Sequence, residues 1–215
     1  MNHGRLERLA PLSGVLFTVI FALAFLFSGE EPDSEASARK IIDHYDDTGP
    51  IYASVALALV AALLVLLFTS ILRSALRDSG RAPEWVSSFV FGGGVIYATG
   101  LAIFAMNELA LVDAADLGNA EVAQALNILN NNNFFPVVVG LGAVLLGTAW
   151  AVLKGANLPT WLGWAALVLG ILSLAGPLGF IAFLLFPIWV LIVSIVLYRR
   201  LGAVVVATPE PLPRG

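Results

Sequence analysis

The chain has no cysteine and only two histidines, and 12% of its 215 residues are charged. The absence of cysteine excludes disulfides, thiolate nucleophiles, iron–sulfur clusters and thiolate zinc sites together. His3 and His44 stand in an amino-terminal tail and a loop, which excludes a helix-borne bis-histidine haem or a multi-histidine metal site within a membrane. Charge is also missing in a pattern: the 11 basic and 15 acidic residues fall between long apolar stretches and never inside them. Without an ionisable residue in those stretches, proton relays, arginine voltage sensors and a retinal-type Schiff base lose their usual machinery. No phosphate loop, H-E-x-x-H or G-x-S-x-G signature occurs, so soluble-type catalysis is not expected and no cofactor is implied.

What is present in abundance is apolar length. The chain is 59% hydrophobic, and runs of roughly 18 or more apolar residues can cross a bilayer as helices that satisfy their own backbone groups. Six such spans are expected: Leu9 to Phe27, Ile51 to Leu72, Trp85 to Met106, Phe134 to Leu153, Asn157 to Ala175, and Leu178 to Tyr198. The 44 uncharged residues from Gly155 to Tyr198 are too many for one crossing, and Gly176-Pro177-Leu178-Gly179 supplies a turn. The expected fold is therefore an all-α, polytopic transmembrane bundle in one domain, residues 1–203. Residues 204–215 form a Pro-rich cytoplasmic tail expected to be disordered. Cleavage of the first span as a signal peptide, which would leave five crossings, is the alternative for that segment.

The basic residues set the expected orientation. With the amino terminus cytoplasmic, nine of the 11 basic residues lie inside, and only Arg39 and Lys40 remain outside. Both termini are then cytoplasmic. Trp85, Trp150, Trp161 and Trp164 fall near the inner ends of spans, where indoles favour the headgroup boundary. The inner arginines are too sparse for a nucleic-acid surface, so membrane lipids are the expected partners, with another membrane protein or a second copy of the chain beside them.

Glycines seven residues apart mark packing faces: Gly93 and Gly100, Gly140 and Gly147, Gly163 and Gly170. Seven residues is two turns, so each pair lies on one side of its helix, where neighbouring backbones can approach. Gly92, Gly93 and Gly94 together with Gly100 are candidate packing or hinge positions. Pro187 removes a backbone donor within the last span and is a candidate bend.

The two long outer loops each suggest a short amphipathic helix. In the first, Ile41, Ile42 and Tyr45 recur at helical spacing, with Asp33 or Ser34 as a cap and Gly49 as a terminator. In the second, Asn119 is the expected cap and Val122, Ala125, Leu126 and Leu129 form an apolar stripe facing the bundle. Asp43, His44, Asp46 and Asp47 have the donor types of a cation site, but a solvated acidic helix end explains them and no metal is assigned. Asp43, His44 and Asp47, with Glu108, Asp113 and Asp116 near the third span, are the candidate polar residues of the outer face. Asn130 to Asn133 read as a turn before the fourth span.

Several phrases carry a family resemblance: Ser28-Gly-Glu-Glu-Pro-Asp-Ser34, Ile41-Ile-Asp-His-Tyr45, Leu72-Arg-Ser-Ala-Leu-Arg77 and Phe91-Gly-Gly-Gly94. Ala125-Leu-Asn-Ile-Leu-Asn-Asn131 and Leu158-Pro-Thr-Trp-Leu-Gly-Trp164 continue it. Together they resemble an actinobacterial-type family of six-span bacterial membrane proteins catalogued as a domain of unknown function. The resemblance implies the span count and a plasma-membrane location, and no activity, cofactor or catalytic residue. The functional expectation is a non-enzymatic binding, assembly or accessory protein of the plasma membrane. A small transporter or channel for an apolar or weakly polar solute ranks second, and an intramembrane lipid-modifying enzyme third.

Overall fold

The computed structural model describes residues 9–206, with side chains to residue 200. His3, Arg5, Arg8 and the tail from residue 207 lie outside the described residues. Those described form helices, turns and loops with no strand among them: α1 Leu12–Ser28, α2 Ala38–Tyr45, α3 Thr48–Asp78, α4 Glu84–Asp116, α5 Ala120–Asn132, α6 Phe134–Leu153, α7 Thr160–Ser173 and α8 Gly179–Val206. A 3-10 turn, Gly176–Leu178, joins the last two.

Four stretches are long and apolar enough to cross a membrane: α3, α4, the α5–α6 stretch and α8 with its preceding turn. Helices α1 and α7 are apolar but shorter, with 17 and 14 residues. At 1.5 Å per residue they reach about 26 and 21 Å, under the ~30 Å hydrocarbon thickness.

The apolar helices close into a ring in which α1, α3, α4, α6, α7 and α8 each pack on the next and α8 returns to α1. Neighbours run antiparallel. Ser54 at the start of α3 donates its hydroxyl to the Ala24 carbonyl late in α1 (3.0 Å). Arg73 late in α3 donates to Ser88 Oγ early in α4 (3.3 Å), and Trp85 at the start of α4 meets Trp150 near the end of α6 at 5.9 Å between rings. Helix α1 therefore begins, and α8 ends, at the basic end of the bundle.

Glycines permit the closest crossing, between α4 and α6. A Cβ on Gly93 would lie 2.8 Å from the Gly140 carbonyl oxygen, and one on Gly140 would meet the backbone of Tyr97. Gly100 faces Val137, Gly147 faces Val90, and Gly163 and Gly170 face side chains of α6, so the space of each absent side chain is taken by the neighbouring helix. Gly94 admits Thr69 of α3, whereas Gly92 meets nothing within 4 Å. Helix α4 runs unbroken through all three adjacent glycines. Pro187 is buried within α8, and its carbonyl accepts the Thr18 hydroxyl of α1 at 2.8 Å, tying the two helices where a backbone N–H is missing.

Midway along the axis the ring is filled. Phe17, Tyr97 and Phe186 pack edge-to-face and tilted at 5.0–6.2 Å between centroids, all fully buried. A second, smaller core lies at the opposite end from Trp85 and Trp150. There α2 lays Ile41 and Tyr45 against Ile51, Leu111, Val112 and Ala123.

Several local expectations are corrected. The cap of α2 is Ser37, whose hydroxyl accepts from the Lys40 N–H (3.4 Å), while Asp33 instead turns the chain by accepting from Glu35 N–H (2.9 Å). Gly49 does not end a helix but lies in the first turn of α3, followed by Pro50, where a missing N–H costs no intrahelical bond. Asn119 caps α5, its Oδ1 accepting from Val122 N–H at 3.2 Å.

The largest correction is the face that α5 presents. Val122, Ala125 and Leu129 of the expected inward stripe are exposed, and Leu126 is half-buried; the buried line is Ala123, Asn127 and Asn130. Those three fall at i, i+4 and i+7 and form one helical face. The physical reason is the partner beneath. The chain after α1 crosses there with unpaired carbonyls and a carboxylate, and amides satisfy such groups where leucines cannot.

Candidate functional site

Gly29, at φ +70°, ends α1 and reverses the chain, a conformation glycine adopts without steric cost. The following segment is then fastened to α5: Asn127 Nδ2 donates to the Asp33 carbonyl at 2.7 Å and Asn131 Nδ2 to the Pro32 carbonyl at 3.1 Å. These bonds hold Glu31 at the mouth of the bundle, where Ser28 Oγ donates to its Oε1 at 2.8 Å.

Asn130 joins Glu31 to a second carboxylate. Its Nδ2 donates to Glu31 Oε2 at 3.3 Å and to Glu108 Oε1 at 2.9 Å. Glu108 is fully buried on α4 and also accepts the Tyr45 hydroxyl at 3.1 Å. Four elements thus converge on two glutamates: the loop after α1, α2, α4 and α5. Two acceptors on one side fix the orientation of the Asn130 amide, with its NH2 toward the acids. Its Oδ1 and Glu108 Oε2 are buried and have no hydrogen-bond partner among the described residues.

Burial raises the Glu31 carboxyl above its ordinary range, with the Ser28 hydrogen bond pulling the other way. Burial, then the negative charges of Glu108 and Glu31, push the Tyr45 hydroxyl up, so it remains a donor. His44 is shifted down, first by burial and then by Lys40.

Beside this cluster a cavity of about 430 Å³ opens between α1, α4, α6 and the turn before α8. Glu31, Ser28, Asn130 and Asn133 form its polar end, and Phe21, Phe25, Phe104, Phe134, Phe180 and Phe183 wall its body. Phe183 ties the wall together, with its ring 5.2 Å from Phe21 and 5.4 Å from Phe134. Phe21, Leu101 and Phe183 line the cavity about one turn from Phe17, Tyr97 and Phe186, so the packed aromatic layer lies beneath it. The volume falls in the ~300–1,000 Å³ range of small-molecule sites, and apolar walls with a few convergent polar groups are their usual chemistry.

Of the candidate polar residues only Glu108 joins the polar cluster, buried and hydrogen-bonded beside the cavity rather than lining it. Asp113 and Asp116 are exposed farther along α4, and Asp43 and Asp47 are exposed on and after α2. Asp43 pairs with Arg39 at 3.8 Å in solvent, and the His44 ring packs edge-on against Tyr45 at 4.8 Å. Among the described residues no three acid or histidine side chains form a metal-sized group. Glu31, Tyr45 and Asn130 are the residues of this candidate site that the sequence did not single out. The available signal was the spacing of Asn127, Asn130 and Asn131 on α5, which puts three amides on adjoining positions of one helix surface.

No family model, curated protein or solved structure matches the chain.

Proposed function

We propose that this protein is a six-crossing bacterial plasma-membrane protein, with both termini cytoplasmic, that binds an amphiphile without chemically altering it. Membership of the six-span family it resembles belongs to the same proposal. In this reading α1 and α7 complete their crossings with the flanking turns, and helices α2 and α5 lie on the outer face. One observation carries the binding function: a phenylalanine-walled cavity beside a buried polar cluster that keeps unpartnered acceptors. An apolar body would bury against the rings while a polar head takes up hydrogen bonding that the helices leave unmet.

Two other readings are less well supported. Transport needs a continuous path, and the Phe17, Tyr97 and Phe186 layer closes the axis below the cavity. Lipid modification would need His44 or the outer acids gathered at one reacting centre, and Asp43, Asp47, Asp113 and Asp116 are exposed and separate from the cavity.

The test is binding of an uncharged, environment-sensitive naphthalene dye to the protein in lipid nanodiscs. Ala58, on the cavity wall and almost fully buried, is replaced by phenylalanine to fill the space. Saturable dye fluorescence in the wild type that Ala58→Phe abolishes is the expected result. Equal fluorescence in both proteins, or none above protein-free discs, would remove the binding reading.

A further inference from the structure

The polar end of the cavity is unbalanced in a way that specifies a head group. Glu31 lines it, Glu108 lies behind the Asn130 amide that bridges the two acids, and no lysine or arginine lies among the residues that line the cavity or bond to the cluster. The donors that face the acids are neutral: the Asn130 amide and the Ser28 and Tyr45 hydroxyls. After these bonds form, two buried acceptors remain, Glu108 Oε2 and Asn130 Oδ1. Asn130 is only 6% exposed and lines the cavity beside Glu31, so the unmet acceptor lies within the residues of the polar end. Against these acceptors the cluster leaves one buried donor, Asn133 Nδ2.

Two acids that share one amide, one buried and one half-buried, without a counter-ion are costly, and an added cation with several N–H donors relieves both charge and unmet acceptors at once. An anionic head would do the opposite, adding a third negative charge beside two acids. A hydroxyl head would supply one donor and no charge. We infer that the cavity selects a protonated amine: an alkylammonium amphiphile whose NH3+ sits against Glu31 and Asn130, with the Glu108 charge behind them, while its chain lies along the phenylalanine walls. This rests on the amphiphile-binding reading above and adds the chemical class of the head.

The experiment compares dodecylamine, dodecanol and dodecanoate as competitors of the naphthalene dye in zwitterionic nanodiscs, with Ala58→Phe discs giving the background from lipid partitioning. In wild-type protein dodecylamine is expected to compete about tenfold or more better than dodecanol, the scale of a charge-assisted over a neutral hydrogen bond. Dodecanoate should be weakest. Glu31→Gln, at the half-exposed rim, should bring dodecylamine down to the level that dodecanol shows in the same variant. Equal competition by amine and alcohol, or a lead for dodecanoate, overturns the head-group assignment and leaves the cavity reading standing. So does an amine preference that survives Glu31→Gln and Glu108→Gln alike. Failure of all three to displace a bound dye also overturns it, and absence of dye binding removes the cavity reading itself. The wild-type comparison decides the matter even if Glu108→Gln does not fold.

Discussion

Replacing Asn130 with leucine would keep its branched outline and remove the NH2 group that two glutamates share. Each acid would lose a neutral donor in a site that water scarcely reaches, at about 1–3 kcal/mol for a buried group left unsatisfied. The expected outcome is a lower melting temperature in detergent for Asn130→Leu, with Leu129→Ala, exposed on the same helix, close to wild type. Glu31 makes a pH prediction of defined sign. Its folded-state pKa is raised by burial above a reference near 4.5. The stability associated with its neutral form is therefore fully present below 4.5 and is lost as pH rises through the raised folded value. Melting temperature should fall across that window with increasing pH, and Glu31→Gln should flatten the fall. A steeper fall in the variant would contradict the assignment. Glu108 was visible in the sequence as an acid near a span, but its burial was not. Burial depends on Tyr45 and Asn130, which lie 63 and 22 residues away, and no local pattern encodes such meetings.

At the scale of elements, the glycines separate packing from backbone freedom. Gly93→Val would force a branched side chain into the Gly140 carbonyl, where backbone and not a flexible side chain must move. A loss at the upper end of the roughly 1–3 kcal/mol of overpacking is expected. Gly92→Ala meets no atom within 4 Å and gains up to about 1 kcal/mol of helix propensity. Thermal unfolding of the two variants should move in opposite directions, although the positions are adjacent. The seven-residue glycine spacing was legible because helical periodicity alone puts such pairs on one face. The inward face of α5 was not, because the apolar stripe of Val122, Ala125 and Leu129 and the amide line of Asn127 and Asn130 are both regular. Periodicity finds faces but does not say which one is buried. The loop after α1 decides that, since its carbonyls and Glu31 require donors.

For the whole molecule, the missing cysteines become an experimental advantage. Asp78 and Asp116 are exposed at opposite ends of the bundle, and replacing either acid leaves every basic residue in place. In intact cells Asp116→Cys should react with a membrane-impermeant maleimide, and Asp78→Cys only after permeabilisation. Labelling of both from outside would break the proposed topology. The chain's apolar lengths and its segregated charges determine by themselves that it is an all-helical protein with helices fit to cross a membrane, because hydrocarbon length and backbone hydrogen bonding are local demands. Tertiary structure alone decided that the ring closes through α8 onto α1, that the axis is filled by Phe17, Tyr97 and Phe186, and that Glu31 and Glu108 share one amide. Those outcomes depend on which side chains meet across the bundle, and shape and unpaired polar atoms become complementary only once the helices are packed.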